Sequence, residues 1–133
     1  ADDGLMVLQT ITIADQNYEQ ARRAVDFIKR YIFPGGGLPS VTAMLDIMTR
    51  ATTLRLYDLQ EIGFDYARTL AEWRHRFMAN LPAVRALGYS DVFIRMWEYY
   101  LCYCEGGFRE RIIGTVQLAF AKPGYRAAIP SGS

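Results

Sequence analysis

The chain has 133 residues, 51% of them hydrophobic and 22% charged, with a formal net charge of +1. That length suits one domain with a real core, or part of one, and is short for two. Basic pairs such as Arg22-Arg23 and Lys29-Arg30 are interspersed with acids and leave no nucleic-acid footprint, while the lack of any ~18-residue apolar run and of a signal peptide in residues 1–13 predicts a soluble, cytoplasmic chain.

Ala1-Asp2-Asp3-Gly4 predicts a tight turn, and Leu5 to Ile13, apolar and rich in β-branched residues, a strand. A buried strand needs partners on both sides and nothing precedes this one, so the chain is expected to be the carboxyl-terminal part of a longer domain. Asp15 or Asn17 caps a predicted helix whose apolar face is Tyr18, Ala21, Val25, Ile28 and Ile32, ended by Pro34 and three glycines. Ser40 is the N-cap of a short helix with Val41, Met44, Leu45 and Met48 on one side. A second strand covers Leu54 to Gln60.

Tyr66, Leu70, Trp73, Phe77 and Leu81 form the next helical stripe, with Arg68, Glu72 and Arg76 on the other face at pair-forming spacing. Leu81-Pro82 interrupts it, Leu87-Gly88 ends the next turn, and Ser90 opens a long aromatic helix running to about Arg111. On that helix Phe93, Met96, Trp97, Tyr100, Cys104 and Phe108 follow the three-and-four spacing of one face, which suits a long acyl chain. Thr115 to Ala121 alternates Val116, Leu118 and Phe120 against Thr115, Gln117 and Ala119, a strand with one buried face. Residues 1–126 are read as one unit, and residues 127–133 as a frayed tail.

The order is strand, helices, strand, helices, strand, which favours an α/β layered sheet whose last strand is free to insert antiparallel. Cys102 and Cys104 diverge by roughly 200° on a helix and cannot clasp one metal; no metal site is expected, and both read as small packing groups. Gly35-Gly36-Gly37 follow a helix and Pro34, lack a preceding strand and a P-loop Lys-Ser pair, and read as a turn. His75, between Arg74 and Arg76, reads as exposed and uncatalytic.

Tyr31-Ile32-Phe33-Pro34-Gly35-Gly36 with Leu38-Pro39-Ser40, Asp65-Tyr66 with Thr69-Leu70 and Trp73, Tyr99-Tyr100-Leu101 with Cys104 and Phe108-Arg109, and Gln117 in the last strand together carry a family likeness. The chain resembles the carboxyl-terminal half of cyclopropane-fatty-acyl-phospholipid synthases and mycolic acid methyltransferases. The resemblance implies the carboxyl-terminal part of a class I S-adenosylmethionine-dependent methyltransferase fold, Rossmann-like, with Leu5 to Ile13 as its fifth strand, Leu54 to Gln60 as its sixth and Thr115 to Ala121 as its reversed seventh. The glycine-rich turn and acidic residue that hold the cofactor belong to the first half, so no cofactor-binding residue is assigned in this chain.

What the resemblance implies about chemistry is a cis alkene brought against the sulfonium methyl of S-adenosylmethionine in a dry tunnel, with a bound bicarbonate taking the proton lost on ring closure. Mapping by motif puts the bicarbonate site on Gln9, Ile11 and Tyr66, Gln9 standing where the family commonly has histidine. Glutamine donates a hydrogen bond to an anion but does not titrate near neutral pH, and this leaves a cyclopropane ring and a methyl- or methylene-branched product both open. Tyr100, Cys104 and Phe108 match positions lining the acyl tunnel.

The implied partners are unsaturated phospholipid acyl chains, met through peripheral membrane contact by a cytoplasmic enzyme fragment that is inactive alone. Three other readings stand beside it: a non-catalytic lipid-binding or membrane-docking module, a chain that self-associates as a homo-oligomer through an exposed sheet edge, and a small-molecule methyltransferase on the same scaffold.

Overall fold

The structure, a computed structural model, describes residues 2–126. Three strands, β1 (Leu5–Ile13), β2 (Arg55–Glu61) and β3 (Ile113–Ala121), form one sheet in the order β1-β3-β2. β3 is antiparallel to both neighbours, so the last strand does insert, reversed, between the two earlier ones. This is the arrangement expected for strands five, seven and six of a class I methyltransferase.

Register sorts the side chains onto two faces, since residues paired across antiparallel strands share a face. Gln9 pairs with Gln117 and Gln117 with Gln60, while Leu8 and Leu59 flank Leu118 on the opposite side. In β2 the register shifts between Leu56 and Asp58, which leaves Tyr57 as an extra residue. That bulge lets Leu56 and Leu59, three apart in sequence, face the same way.

On one face Val116, Leu118 and Phe120 are buried against α2 (Val41–Ala51), through Val41, Met44, Leu45 and Met48. Ser40 caps α2 as its sequence predicts, its hydroxyl accepting from Ala43 N at 3.2 Å. The other face carries α3 (Gly63–Ala79) and α5 (Asp91–Arg109), with the short α4 (Leu81–Ala86) between them. Ala67, Leu70, Leu101 and Phe108 are the centre of that second cluster, with Ile11 and Ile113 reaching it from the sheet.

The predicted helix over residues 15–33 is broken. After a 3-10 turn, α1 (Tyr18–Arg23) ends at Ala24, which is extended, and a separate π-helical turn forms at Ile28–Ile32. Asp26 explains the restart: its carboxylate accepts from Lys29 N at 2.9 Å, an N-cap inside the predicted helix. The Lys29 ammonium donates to the carbonyls of Ala21 and of Ala24, the latter at 2.8 Å, and so satisfies acceptors freed where α1 stops. Asp15 does not cap this segment either; its carboxylate accepts from Thr42 N at 3.0 Å at the start of α2.

Two further stripes are rotated from their predicted faces. Trp73 is 51% exposed, because the buried line of α3 runs through Gly63, Ala67 and Leu70. In α5 the buried line is Ile94, Leu101 and Phe108, so Phe93, Met96, Trp97, Tyr100 and Cys104 lie half-buried on its flank. The last strand begins at Ile113, two residues before the predicted Thr115, and the Gly35 turn has φ of 78°, the left-handed value that glycine accepts freely. The predicted tail, 127–133, lies outside the described residues, and no helix among the described residues is long and apolar enough to cross a membrane.

Candidate functional site

The site is set by how close α3 comes to the sheet. Glu61, the last residue of β2, turns its carboxylate back to accept from Gly63 N at 2.8 Å and so caps α3, whose flanking Ile62 has no capping side chain. A Cβ on Gly63 would collide with Glu61 Oε1 and lie 3.4 Å from Gly114 Cα and from Phe108 Cδ1. Glycine therefore lets the first turn of α3 sit against β3 and α5, and three residues later the chain presents Tyr66 over the sheet.

There Gln9 meets it. Gln9 Nε2 donates to Tyr66 Oη at 3.2 Å, and Gln117 Nε2 donates to Gln9 Oε1 at 2.8 Å. The chain of bonds runs one way, from Gln117 through Gln9 to Tyr66, which leaves the Tyr66 proton to be donated onward. Ile11 lies two residues along β1 from Gln9 on the same face, and its register partner is Thr115. Thr115 is fully buried, and its hydroxyl oxygen has no hydrogen-bond partner among the described residues.

Tyr66 also stacks at 5.4 Å, tilted, on Phe108. Ile11, Tyr66, Tyr100 and Cys104 all pack on the cluster that contains Phe108, so five of the six candidate residues share one apolar neighbourhood and Gln9 is hydrogen-bonded into it. Phe108 itself is 3% exposed and is a core residue. From the far end of α5 a line of rings leads to the same place: Tyr89 on Phe93 at 4.4 Å, Phe93 on Trp97 at 5.7 Å, Trp97 on Tyr100 at 5.0 Å.

Tyr100 and Cys104 are one helical turn apart on α5 and pack on the same cluster. Burial pushes the Cys104 thiol up to about 11, against the lowering effect of the neighbouring Tyr100 hydroxyl. Burial, with the neighbouring sulfur, also raises the Tyr100 phenol. Both stay uncharged at neutral pH, so this wall is neutral and Cys104 is no nucleophile.

Two clefts open elsewhere. One of about 390 Å³ lies at the ends of β1 and β2 between Asp15, Val41, Glu61 and Arg111, and one of about 550 Å³ lies beside α2 and Pro123. Of the six candidate residues only Phe108 borders either cleft. The ring wall is thus present in this chain, whereas a passage enclosed on all sides is not part of either cleft.

The sequence pattern missed two things here. Gln117 stood out only as a family mark, with nothing to say that its amide holds Gln9; the equal offset of both residues from the strand ends that pair was the available signal. Phe27 was overlooked entirely, although it packs edge-on against Tyr99 at 4.7 Å and near Tyr103 at 6.0 Å, pinning the π-helical turn to α5.

Comparison with known proteins matches residues 1–118 to the family model described as mycolic acid cyclopropane synthetase. The chain belongs to that family. Within the family it is 40% identical over 121 residues to the tuberculostearic acid methyltransferase UfaA1 of Mycobacterium tuberculosis, covering 91% of this chain and 28% of that protein. It is likewise 40% identical over 96 residues to the cyclopropane-fatty-acyl-phospholipid synthase of Escherichia coli K12, covering 72% of this chain and 24% of that one. Among solved structures, the mycolic acid cyclopropane synthase CmaA1 complexed with SAH and CTAB superposes with a TM-score of 0.78 at 30% identity, over 90% of this chain and 45% of that chain. The chain therefore spans about a quarter of the length of these curated relatives and under half of the solved one. The fold of the cyclopropane synthase family, an S-adenosylmethionine-dependent methyltransferase fold, is shared over the part that this chain contains.

Proposed function

We propose that this chain is the carboxyl-terminal portion of an S-adenosylmethionine-dependent methyltransferase that modifies the cis double bond of unsaturated fatty acyl chains in phospholipids. The product is a cyclopropane or a methyl- or methylene-branched acyl chain, and the enzyme works in peripheral contact with a cytoplasmic membrane surface. The observation that carries this reading is the hydrogen bond between Gln9 and Tyr66 at the edge of the cluster holding Ile11, Tyr100, Cys104 and Phe108.

The donor set fits an oxyanion such as bicarbonate. The Gln9 amide and the Tyr66 hydroxyl are neutral donors side by side, and the unpartnered Thr115 hydroxyl is buried on the same face of the sheet. Gln9, Tyr66 and the Ile11 backbone would hold the anion, which supplies a proton acceptor. The residues that grip S-adenosylmethionine are not assigned in this chain; when bound, that cofactor supplies a methyl group on a cationic sulfur. What this chain does is narrower. The rings from Tyr89 to Tyr100 orient an acyl chain along α5, the uncharged Tyr100 and Cys104 keep water from its double bond, and the ring of Tyr66, backed by the buried Phe108, stabilises passing positive charge.

Gln9 keeps both products in view. An amide cannot take up the proton itself, so the outcome depends on where the anion is held: loss of a proton from the new methyl group closes the ring or, after a hydride shift along the chain, leaves a methylene branch, and loss of one from the chain leaves a methyl-branched alkene.

The test is methyl transfer from labelled S-adenosylmethionine to vesicles of dioleoyl phosphatidylglycerol. The 133-residue chain alone is expected to give none, and the same chain joined to the preceding portion of a full-length relative is expected to turn over, adding one CH2 to the acyl chain. Hydrogenation of the product then separates a methylene branch, which takes up hydrogen under mild conditions, from a ring. Robust turnover by the chain alone, or none by the joined protein, overturns the assignment.

A further inference from the structure

One row of the sheet is made of amides: Gln9 of β1, Gln117 of β3 and Gln60 of β2 occupy the same rung on the face towards α3 and α5. Above and below them on β1 and β3 stand Val7 and Ala119, then Ile11 and Thr115. A glutamine side chain has two ends of nearly equal shape and opposite character, a carbonyl that accepts and an NH2 that donates. With the carbonyl turned to the site, Gln9 would repel an anion.

We infer that Gln117 is a positioning residue that settles this choice. By donating its own N–H to Gln9 Oε1 at 2.8 Å, Gln117 occupies the accepting end and commits the Gln9 NH2 to Tyr66, 3.2 Å away. Tyr66 Oη, accepting that bond, turns its proton outward. A neutral amide in place of a titrating histidine thereby becomes a donor of fixed direction, and successive bonds of the same sense reinforce one another. This deepens, and rests on, the anion-site reading given above. Gln117 is solvent-exposed, so it is open to substitution without disturbing the buried Val116, Leu118 and Phe120 around it.

Gln117→Glu is the informative variant, because a carboxylate of the same length can only accept. It should draw the Gln9 NH2 to itself and leave the Gln9 carbonyl facing Tyr66. Protonation restores an O–H donor, so the effect should reverse as pH falls through the range of the new carboxyl. The titratable and charged groups on this side of the sheet include Arg55 and Asp58 of β2, Asp65, Tyr66, Arg74 and His75 of α3, and Tyr100, Cys104, Glu105 and Arg109 of α5, with Glu105 paired to Arg74 and Arg109; they are common to both proteins, and the difference between the two pH profiles reports position 117.

Two readouts separate this inference from the function. In the 133-residue chain, nuclear Overhauser contacts from the 15N-labelled Gln9 NH2 to the Tyr66 ring should be present in the parent, lost in Gln117→Glu at pH 7 and regained at pH 4. In the joined enzyme, kcat of Gln117→Glu should fall on the order of tenfold at pH 7 with KM for lipid unchanged, and the deficit should shrink at lower pH. Gln117→Leu should fall similarly without the pH recovery, and should add little in a Gln9→Ala background. Contacts from Gln9 to Tyr66 that are indifferent to residue 117, or effects of Gln9→Ala and Gln117→Leu that multiply in full, overturn the inference. An orientation switch as described in a joined enzyme that transfers no methyl group would overturn the proposed function and leave the positioning role standing.

Discussion

On the α2 side of the sheet, Val116, Leu118 and Phe120 close against an apolar helix face. On the α3 and α5 side an equally apolar cluster stops at a row of amides and a tyrosine hydroxyl. Both sides hang from the same central strand, so odd and even residues of β3 serve different ends: Leu118 is 0% exposed, while Gln117 beside it is open to solvent. Alternation along one strand is enough to separate the part of the molecule that holds it together from the part that carries the proposed site.

That division is open to test from either side. Leu118→Ala should lower unfolding free energy by about 2–5 kcal/mol, the usual effect of emptying a closed core site. Denaturant titration would show it, and the Gln9–Tyr66 contact should survive in the folded fraction. Tyr66→Phe should do the reverse. Removing one donor aimed at an anion should reduce methyl transfer by the joined enzyme roughly 100-fold, with stability changed by no more than about 1 kcal/mol because the lost bond is exposed. A large stability loss there would merge the two faces into one structural core.

A smaller effect follows from Cys104. Its thiol keeps its proton in the folded chain up to about 11 but loses it near the ordinary 9.0 when unfolded. Below pH 9 both states hold the proton and the thiol favours neither; above it the unfolded chain binds fewer protons, so stability should fall as pH rises from about 9 towards about 11. Cys104→Ala should flatten that slope in denaturation curves taken across the range, while the exposed Cys102 alkylates first. Smallest of all, Trp73→Ala should change stability by only about 0.5 kcal/mol, as for other surface positions. A loss several times larger would place Trp73 on the core stripe after all.

The strands were legible because their alternation and β-branched content are local, and so were the caps at Ser40 and Ser90, which accept from Ala43 N and Phe93 N. The break at residues 24–27 was not. Asp26 looked like one polar residue inside an amphipathic stripe, and only the fold shows its carboxylate capping Lys29 while the lysine covers the end of α1. Periodicity likewise found α5 but set its core face a fraction of a turn off, because tyrosine and tryptophan count as apolar although their polar atoms hold them at a flank. Gln9, Ile11 and Tyr66 were reached by family likeness; the amide relay that joins them depends on pairing residues 108 positions apart, and no local pattern carries that.

The proposed function needs an acyl chain lying along the cluster beside the Gln9–Tyr66 bond, on the ring-lined flank of α5, and photolabelling tests that most directly. The joined enzyme, supplied with a phosphatidylglycerol carrying a diazirine near the middle of an unsaturated acyl chain, would be irradiated and digested with trypsin. Label is expected on the peptide of residues 96–109, which contains Tyr100, Cys104 and Phe108. Label concentrated instead on α2 or the cleft beside it, with residues 96–109 unmarked, would contradict the account.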